Sequence, residues 1–458
     1  MPFERSGLAR DILESLFQRW RRSGRQAVAP APALADAPLI DRAAALLEER
    51  SQSSGVHLAA EILDAYAELD EAGRHDFLRA LGTRFAPDPG AIRAALAAYD
   101  ADPTPARLSA VTHAAEAPRQ EVLRRLNQAS AGTASLVAMR ADLLRLLPHD
   151  PALAALEDDM VHLLRSWFNR GFLVLRRIDW SSPADLLERI IRYEAVHSIA
   201  TWDDLRARLL PPDRRCYGFF HPALGDEPLI FVEVALCADV PDSIPALLAQ
   251  DRAVLDPQAA RVAVFYSISN CQAGLAGISF GQFLIKQVVE DLGTEFPNLA
   301  TYVTLSPIPG FARWLNSAGE RGDAAAVDAL AQGLPDPSWR EDDPRRQALL
   351  RLAARYLLAE RDAKGRLRDP VARFHVGNGA RVERLCWLAD PGPRGMAQSH
   401  GLMVNYLYDL ASVEANHNAY ARHRVVNASG PLHALLADRQ RRGTGKRDSR
   451  ARLVDQSA

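Results

Sequence analysis

Cysteine is scarce. Four residues, Cys216, Cys237, Cys271 and Cys386, are scattered through 458 without a CxxC pair. That excludes a disulfide scaffold and the usual zinc spacings, and it points to a reducing compartment. No apolar run reaches the roughly 18 residues needed to span a bilayer. The net charge is −2, so no global field favours nucleic acid or an anionic membrane surface. The N-terminal stretch has Arg5, Arg10, Arg19, Arg21 and Arg22 but also Glu4, Asp11 and Glu14. It lacks the apolar core of a secretion signal, and its acidic residues argue against a transit peptide. The last four residues, Asp455 to Ala458, carry no SKL-type address. With an Ala/Arg-rich composition, these absences predict a protein of the bacterial cytoplasm. No repeat of fixed period appears, which excludes a recognisable solenoid.

What is present is ample for a large core: 48% hydrophobic and 24% charged residues. The length prior is roughly two to four domains. Residues 1–165 read as helix after helix. Leu8, Ile12, Leu16 and Trp20 share one helical face, and a Pro/Ala-rich linker runs from Ala27 to Pro38. Helical patterns follow at about 40–50, 57–71, 75–83, 90–99, 105–116, 119–128, 133–146 and 151–168. Pro87, Pro89, Pro103, Pro105 and Pro151 punctuate them. His57, His75 and His113 stand isolated there, so this stretch reads as scaffold or oligomerisation surface.

The pattern changes near Trp167. Phe172 to Leu175 predicts a strand. Pro183 to Tyr193 predicts a helix, with Ser182 as its cap. Arg215 to Phe220 and Leu229 to Leu236 predict a hairpin turning at Gly225 to Pro228. Glu227 and Glu233 read as a solvated turn and an outward strand position. Val262 to Ser267 predicts a buried strand, and Phe280 to Leu292 a helix ending at Gly293. Tyr302 to Leu305 is the next strand. A polar helical segment covers about 318–370, then come a strand from Val382 to Ala389 and another leading from Gly401 to Tyr406. A helix ends near Ala421. The domains predicted are thus 1–165 helical, 166–435 mixed sheet with a helical insertion, and 436–458 a disordered Arg/Gly/Ser-rich tail. The class is α+β.

Between the strand at 262 and the helix at 280 lie Ala273, Gly274, Ala276, Gly277 and Gly281. Small residues at a helix start admit a phosphate to backbone N–H groups. They also suit an ordinary βα connection with glycines for packing. Ser306-Pro307 suits a helix N-cap followed by a first-turn proline. His375, between Phe374 and Val376, suits a core histidine.

Seven segments in order carry a resemblance: EAVH (194–197), RRCYGFFHP (214–222), DEPLIFVEVAL (226–236), FGQFLIKQVV (280–289), LSPIPGF (305–311), FHVGNGA (374–380) and SHGLMVNYLYDL (399–410). Together they resemble malonyl-CoA decarboxylase over about 160–430. The resemblance implies an acetyltransferase-like (GNAT) catalytic domain behind a helical domain that makes homo-oligomer contacts. It implies conversion of malonyl-CoA to acetyl-CoA and carbon dioxide without a metal or organic cofactor, and no nucleic-acid or membrane partner. The coenzyme A loop would be Gly274, Ala276, Gly277, Ile278, Ser279, Phe280, Gly281 and Gln282. The GNAT phosphate signature is met loosely, with Cys271 where its polar residue belongs. The catalytic pair would be Ser306 and His375, the imidazole protonating the enolate that decarboxylation leaves. Asn378 and Asn405 are candidate donors to an oxyanion or to the pantetheine arm. His197 and His221 match family words without an assigned role. An amine acyltransferase and a non-catalytic acyl-CoA sensor on the same fold are the rival functions.

Overall fold

The computed structural model describes residues 37–436 apart from 279, 280, 334 and 337. The predicted first helix, most of the linker that follows it, Ser279, Phe280 and the predicted tail from 437 onward lie outside the described residues.

Among the described residues eight α-helices come first: α1 (Leu39–Glu48), α2 (Gln52–Glu68), α3 (Glu71–Arg84), α4 (Pro89–Ala101), α5 (Pro105–Ala115), α6 (Pro118–Leu126), α7 (Gly132–Leu146) and α8 (Ala154–Trp167). No strand interrupts them among the described residues. Prolines open α4, α5 and α6, where the missing N–H has no intrahelical partner to lose. Asp70, Asp88 and Thr104 cap α3, α4 and α5 by accepting from Gly73, Gly90 and Arg107 N–H. The core between the helices is aliphatic, with Leu46, Ile62, Leu78, Leu81, Leu126, Leu136, Met139, Leu143 and Leu156 fully buried. Each such side chain contributes about 1.5–3 kcal/mol. This unit, which runs to Phe172, also takes in two later segments, His221–Gly225 and Gln272–Ile278. Neither was separable in the sequence from the strands around it.

The second unit holds the sheet: β1 (Val174–Ile178), β2 (Arg214–Phe220), β3 (Pro228–Cys237), β4 (Val262–Asn270), β5 (Thr301–Thr304), β6 (Ser306–Pro307), β7 (Arg381–Cys386) and β8 (Met403–Leu407). The strand order is β1-β2-β3-β4-β5-β8-β6, with β7 also paired to β8. The named strand pairs are antiparallel except β4–β5. A parallel pair needs a crossover, and α12 (Gly281–Glu295) supplies it. The remaining helices are α9 (Ala184–Tyr193), α10 (Trp202–Leu209), α11 (Ile244–Leu248), α13 (Phe311–Glu320), α14 (Ala324–Ala331), α15 (Pro344–Leu358), α16 (Pro370–Gly377), α17 (Pro393–Ser399) and α18 (Val413–His423).

Four local expectations change. α12 continues past Gly293 to Glu295. Ser182 does not cap α9; its hydroxyl accepts from Asp179 N–H at 3.0 Å. Ser306 caps no helix, because α13 starts only at Phe311 and Ser306 pairs with Val404 of β8. Glu233 is not outward. Helices cover that face of the sheet, and Glu233 is fully buried against Arg208 at 3.1 Å. Desolvation lifts its pKa to about 7.

Removing Arg208 strands that carboxylate in the interior. Arg208→Leu should destabilise the fold on the order of 3 kcal/mol. The loss should be larger at pH 8 than at pH 6, because an unpaired Glu233 stays buried only by holding a proton, and its raised pKa takes stability away as pH rises. Urea midpoints at both pH values check this. Arg208→Leu combined with Glu233→Leu should recover most of the loss; a double variant as unstable as the single would reject the charge argument.

Candidate active site

β4 and β5 are bonded only from Val262↔Thr301 to Phe265↔Thr304. Leu305 N–H still reaches the Phe265 carbonyl at 3.1 Å. Beyond that point β4 follows β3 as far as Asn270, while Ser306 turns to Val404 of β8. The strands diverge, and no described strand pairs with the β5-facing edge of Tyr266 to Asn270. A bulge marks the same place: Phe265 faces Val234 and Ser267 faces Glu233, which leaves Tyr266 as the extra residue. Bulges increase local twist and bend the strand away from its neighbour.

Ser306 lies just past this fork. Its hydroxyl donates to Thr304 Oγ1 at 2.8 Å, and its Oγ is 3.2 Å from His375 Nε2. His375 comes from the last turn of α16, a helix that begins where the predicted helical segment of about 318–370 ends. Asp369 starts that helix by accepting from Val371 and Ala372 N–H at 3.0 and 2.8 Å, and Pro370 is its first residue. His375 Nδ1 lies 2.8 Å from the Tyr408 hydroxyl, and the Tyr406 ring stacks on the imidazole with centroids 4.5 Å apart. Ser306 and His375 are 5% and 3% exposed. One hydrogen pattern satisfies every partner. Thr304 Oγ1 accepts from Tyr406 N–H and from Ser306, Ser306 accepts from Nε2–H, and Nδ1 accepts from Tyr408. Burial raises the Tyr408 pKa, which keeps that hydroxyl protonated. Burial also pushes the His375 pKa down to about 3, so the imidazole is neutral here. Tyr408 sits inside a quoted motif and Thr304 in the predicted strand just before one, yet nothing in their spacing marked them.

The predicted loop follows β4 and precedes α12. Gly274 is buried there: a Cβ would lie 1.8 Å from the Val137 carbonyl of α7, so this glycine is required for packing. Arg140 of α7, paired with Glu157 at 2.6 Å, donates to the Gly274 and Ala276 carbonyls at 2.5 and 2.9 Å. Arg140 came from a region whose sequence looked chemically empty. The N–H groups of Leu275, Ala276 and Ile278 are already bonded within the loop. Gly277 has φ +77° and open space where a side chain would be. Within this loop a phosphate reading therefore narrows to Gly277. Ser279 and Phe280 are outside the described residues, and so are the side chains of Gly281 and Gln282.

The other candidates separate. Asn405 donates to the Thr304 carbonyl at 2.7 Å and accepts from Arg384 at 3.0 Å, so its amide bridges strands. Asn378 is the C-cap of α16. His221 Nδ1 accepts from Ala223 N–H, and its ring packs 4.7 Å from that of Phe168. His197 is half-buried, with Nε2 unpartnered. Among the described residues no three His, Cys, Asp or Glu side chains gather to hold a metal ion, and no helix is long and apolar enough to cross a membrane.

Residues 171–445 match the family model for the malonyl-CoA decarboxylase C-terminal domain, and residues 85–168 match that for its N-terminal domain. The chain belongs to the malonyl-CoA decarboxylase family. Mouse mitochondrial malonyl-CoA decarboxylase is 33% identical over 475 residues, covering 95% of this chain and 92% of the mouse protein. The crystal structure of the Rhodopseudomonas palustris malonyl-CoA decarboxylase is 52% identical with a TM-score of 0.82, covering 86% of this chain and 98% of that one. The Agrobacterium vitis malonyl-CoA decarboxylase structure is 49% identical with a TM-score of 0.81, covering 87% and 100%. The helical region followed by a mixed sheet is the order that the resemblance implied.

A buried neutral histidine makes stability depend on pH. The ordinary His value is 6.5 and the folded value about 3. Below pH 6.5 the unfolded chain therefore binds a proton that the folded chain refuses. The stability this group supplies is complete above pH 6.5 and falls by up to ~1.4 kcal/mol per pH unit toward pH 3. His375→Gln should show a shallower decline in urea midpoints between pH 7.5 and 5. Equal slopes in the two proteins would mean that His375 is not held neutral.

Proposed function

We propose that this chain decarboxylates malonyl-CoA to acetyl-CoA and carbon dioxide, with Ser306 and His375 as the reacting pair. The observation that carries the proposal is their buried contact at the fork of the sheet, in a chain of this family. The unpaired edge of β4 from Tyr266 to Asn270 offers alternating N–H and C=O groups. The pantetheine arm, which carries two amides, lies along it as an added strand. That brings the thioester to the fork beside Ser306. The phosphates lie against Gly277 in the loop after β4.

Malonyl-CoA enters with a negative carboxylate. Its arrival raises the pKa of the nearby imidazole, and His375 takes up one proton. Tyr408 then turns from donor to acceptor, so the imidazolium keeps both of its bonds. The bond between C2 and the carboxylate breaks, carbon dioxide leaves, and the electron pair moves onto the thioester as an enolate. Backbone N–H groups of the β4 edge stabilise the enolate oxygen. The imidazolium proton passes through the Ser306 hydroxyl to C2. One proton is consumed per turnover, which balances an anionic substrate against neutral carbon dioxide. Substrate, Ser306 and His375 account for every electron pair and proton in this scheme.

Incubation with malonyl-CoA alone, with no amine present, tests the reaction. Release of acetyl-CoA separates decarboxylation from an acyltransferase awaiting an acceptor and from a sensor that binds without turnover. His375→Ala should lower kcat about 10²–10⁴-fold. Ser306→Ala should also slow turnover while the melting temperature stays near that of the parent. The double variant should lose little more than His375→Ala. Near-parental rates in either single variant would remove that residue from the mechanism.

The phosphate contact has its own test. Gly277→Asn keeps a residue that tolerates φ +77° but adds a side chain where the ligand lies. Calorimetry should show acetyl-CoA binding weakened several-fold with the fold intact. Unchanged affinity would move the phosphates elsewhere.

A further inference from the structure

The turn after α9 is moored to the free arm of β4. Glu194 accepts from Val196 and His197 N–H at 2.7 and 2.8 Å. The hydroxyls of Ser267 and Ser269 donate to the same carboxylate at 2.7 and 3.3 Å. This mooring carries the His197 imidazole to the carbonyl of Tyr266, the bulged residue at the fork. A carbonyl only accepts, so the ring nitrogen facing it must bear a hydrogen. Nε2 is buried and without a partner. In the tautomer that carries its hydrogen on Nδ1, toward this carbonyl, Nε2 presents a lone pair. Burial, and then the Arg208 guanidinium, push the His197 pKa down to about 4, so the ring stays neutral at neutral pH. A buried acceptor left unanswered costs about 1–3 kcal/mol, and native structures retain few of them.

The required ligand group is a hydrogen-bond donor. A carboxylate, a thioester and an ionised phosphate all lack one, whereas an amide of the pantetheine arm has one. We propose that His197 Nε2 accepts a hydrogen bond from the pantetheine amide nearest the thioester, and so sets how far the arm slides along β4. The choice of that amide follows from position. Tyr266 is the first residue beyond the last β4–β5 pair, level with Leu305, and Ser306 comes one residue further along the diverging strand. The inference rests on the reading of the β4 edge as the seat of the arm.

Two short malonyl thioesters test it: malonyl-N-acetylcysteamine, which keeps this amide, and the malonyl thioester of 2-mercaptoethyl acetate, in which an ester oxygen replaces the N–H. The parent should prefer the amide compound by about 3- to 10-fold in kcat/KM. His197→Ala should lose that preference through KM, with kcat and the ester compound little changed. His197→Gln, which restores an acceptor, should recover part of it. An equal loss on both thioesters would show a structural role only, and no loss on either would show no contact; each result overturns the proposal. Should His197→Ala not fold, His197→Phe carries the same comparison. If the parent releases no acetyl-CoA from malonyl-CoA, the decarboxylation reading falls. The acetyl forms of the two thioesters, titrated by calorimetry, then still decide whether His197 reads the amide.

Discussion

The structure of the catalytic unit turns on one constraint: β4 and β5 cannot remain bonded beyond Phe265 and Thr304. β4 is held to β3 through a bulge that adds Tyr266 and twists the strand. The other strand is drawn away as Ser306 pairs with Val404 of β8. Two antiparallel partnerships pull a parallel pair apart. The fork leaves a strand edge without a strand in the interior of a sheet, where backbone polar groups otherwise demand partners. The candidate chemistry collects beside this opening. Ser306 lies on one arm, and Glu194 and His197 are tied to the other.

Burial then sets the protonation states around the fork. His375 and His197 are both driven neutral by desolvation, while Asp369 and Glu233 are driven toward their protonated forms. The two neutral imidazoles add no positive charge of their own beside the fork, so an arriving anionic substrate acts on them as a strong local charge. The same desolvation lets a single incoming carboxylate shift a histidine far more than it would in water.

The helical region was legible almost element by element. Its aliphatic spacing and its proline and Asp/Thr caps are local signals, and α3 to α8 start or stop where such signals stand. The hairpin of β2 and β3 was equally clear. The misreadings concerned partners distant in sequence. Ser306-Pro307 looks like a helix cap because that motif is local, whereas its actual pairing with Val404 is 98 residues away in the chain. Glu233 looks outward by strand alternation, but helices that no alternation records cover its face. Gly274 looks like a ligand glycine until the Val137 carbonyl is seen against it.

Ser306 and His375 were singled out by motif words in the right order, and so was the loop after β4. Local periodicity, capping and those words determined the class, the order of elements and the candidate pair, because each is written within a few consecutive residues. Only the tertiary structure decided that the pair meets at 3.2 Å, that Tyr408 and Thr304 complete its hydrogen bonds, that Arg140 supports the loop, and that His197 keeps one nitrogen unanswered. Apart from the bond between Ser306 and Thr304, those contacts join residues tens to more than a hundred positions apart, and their protonation follows from burial, a property that no single stretch of sequence contains.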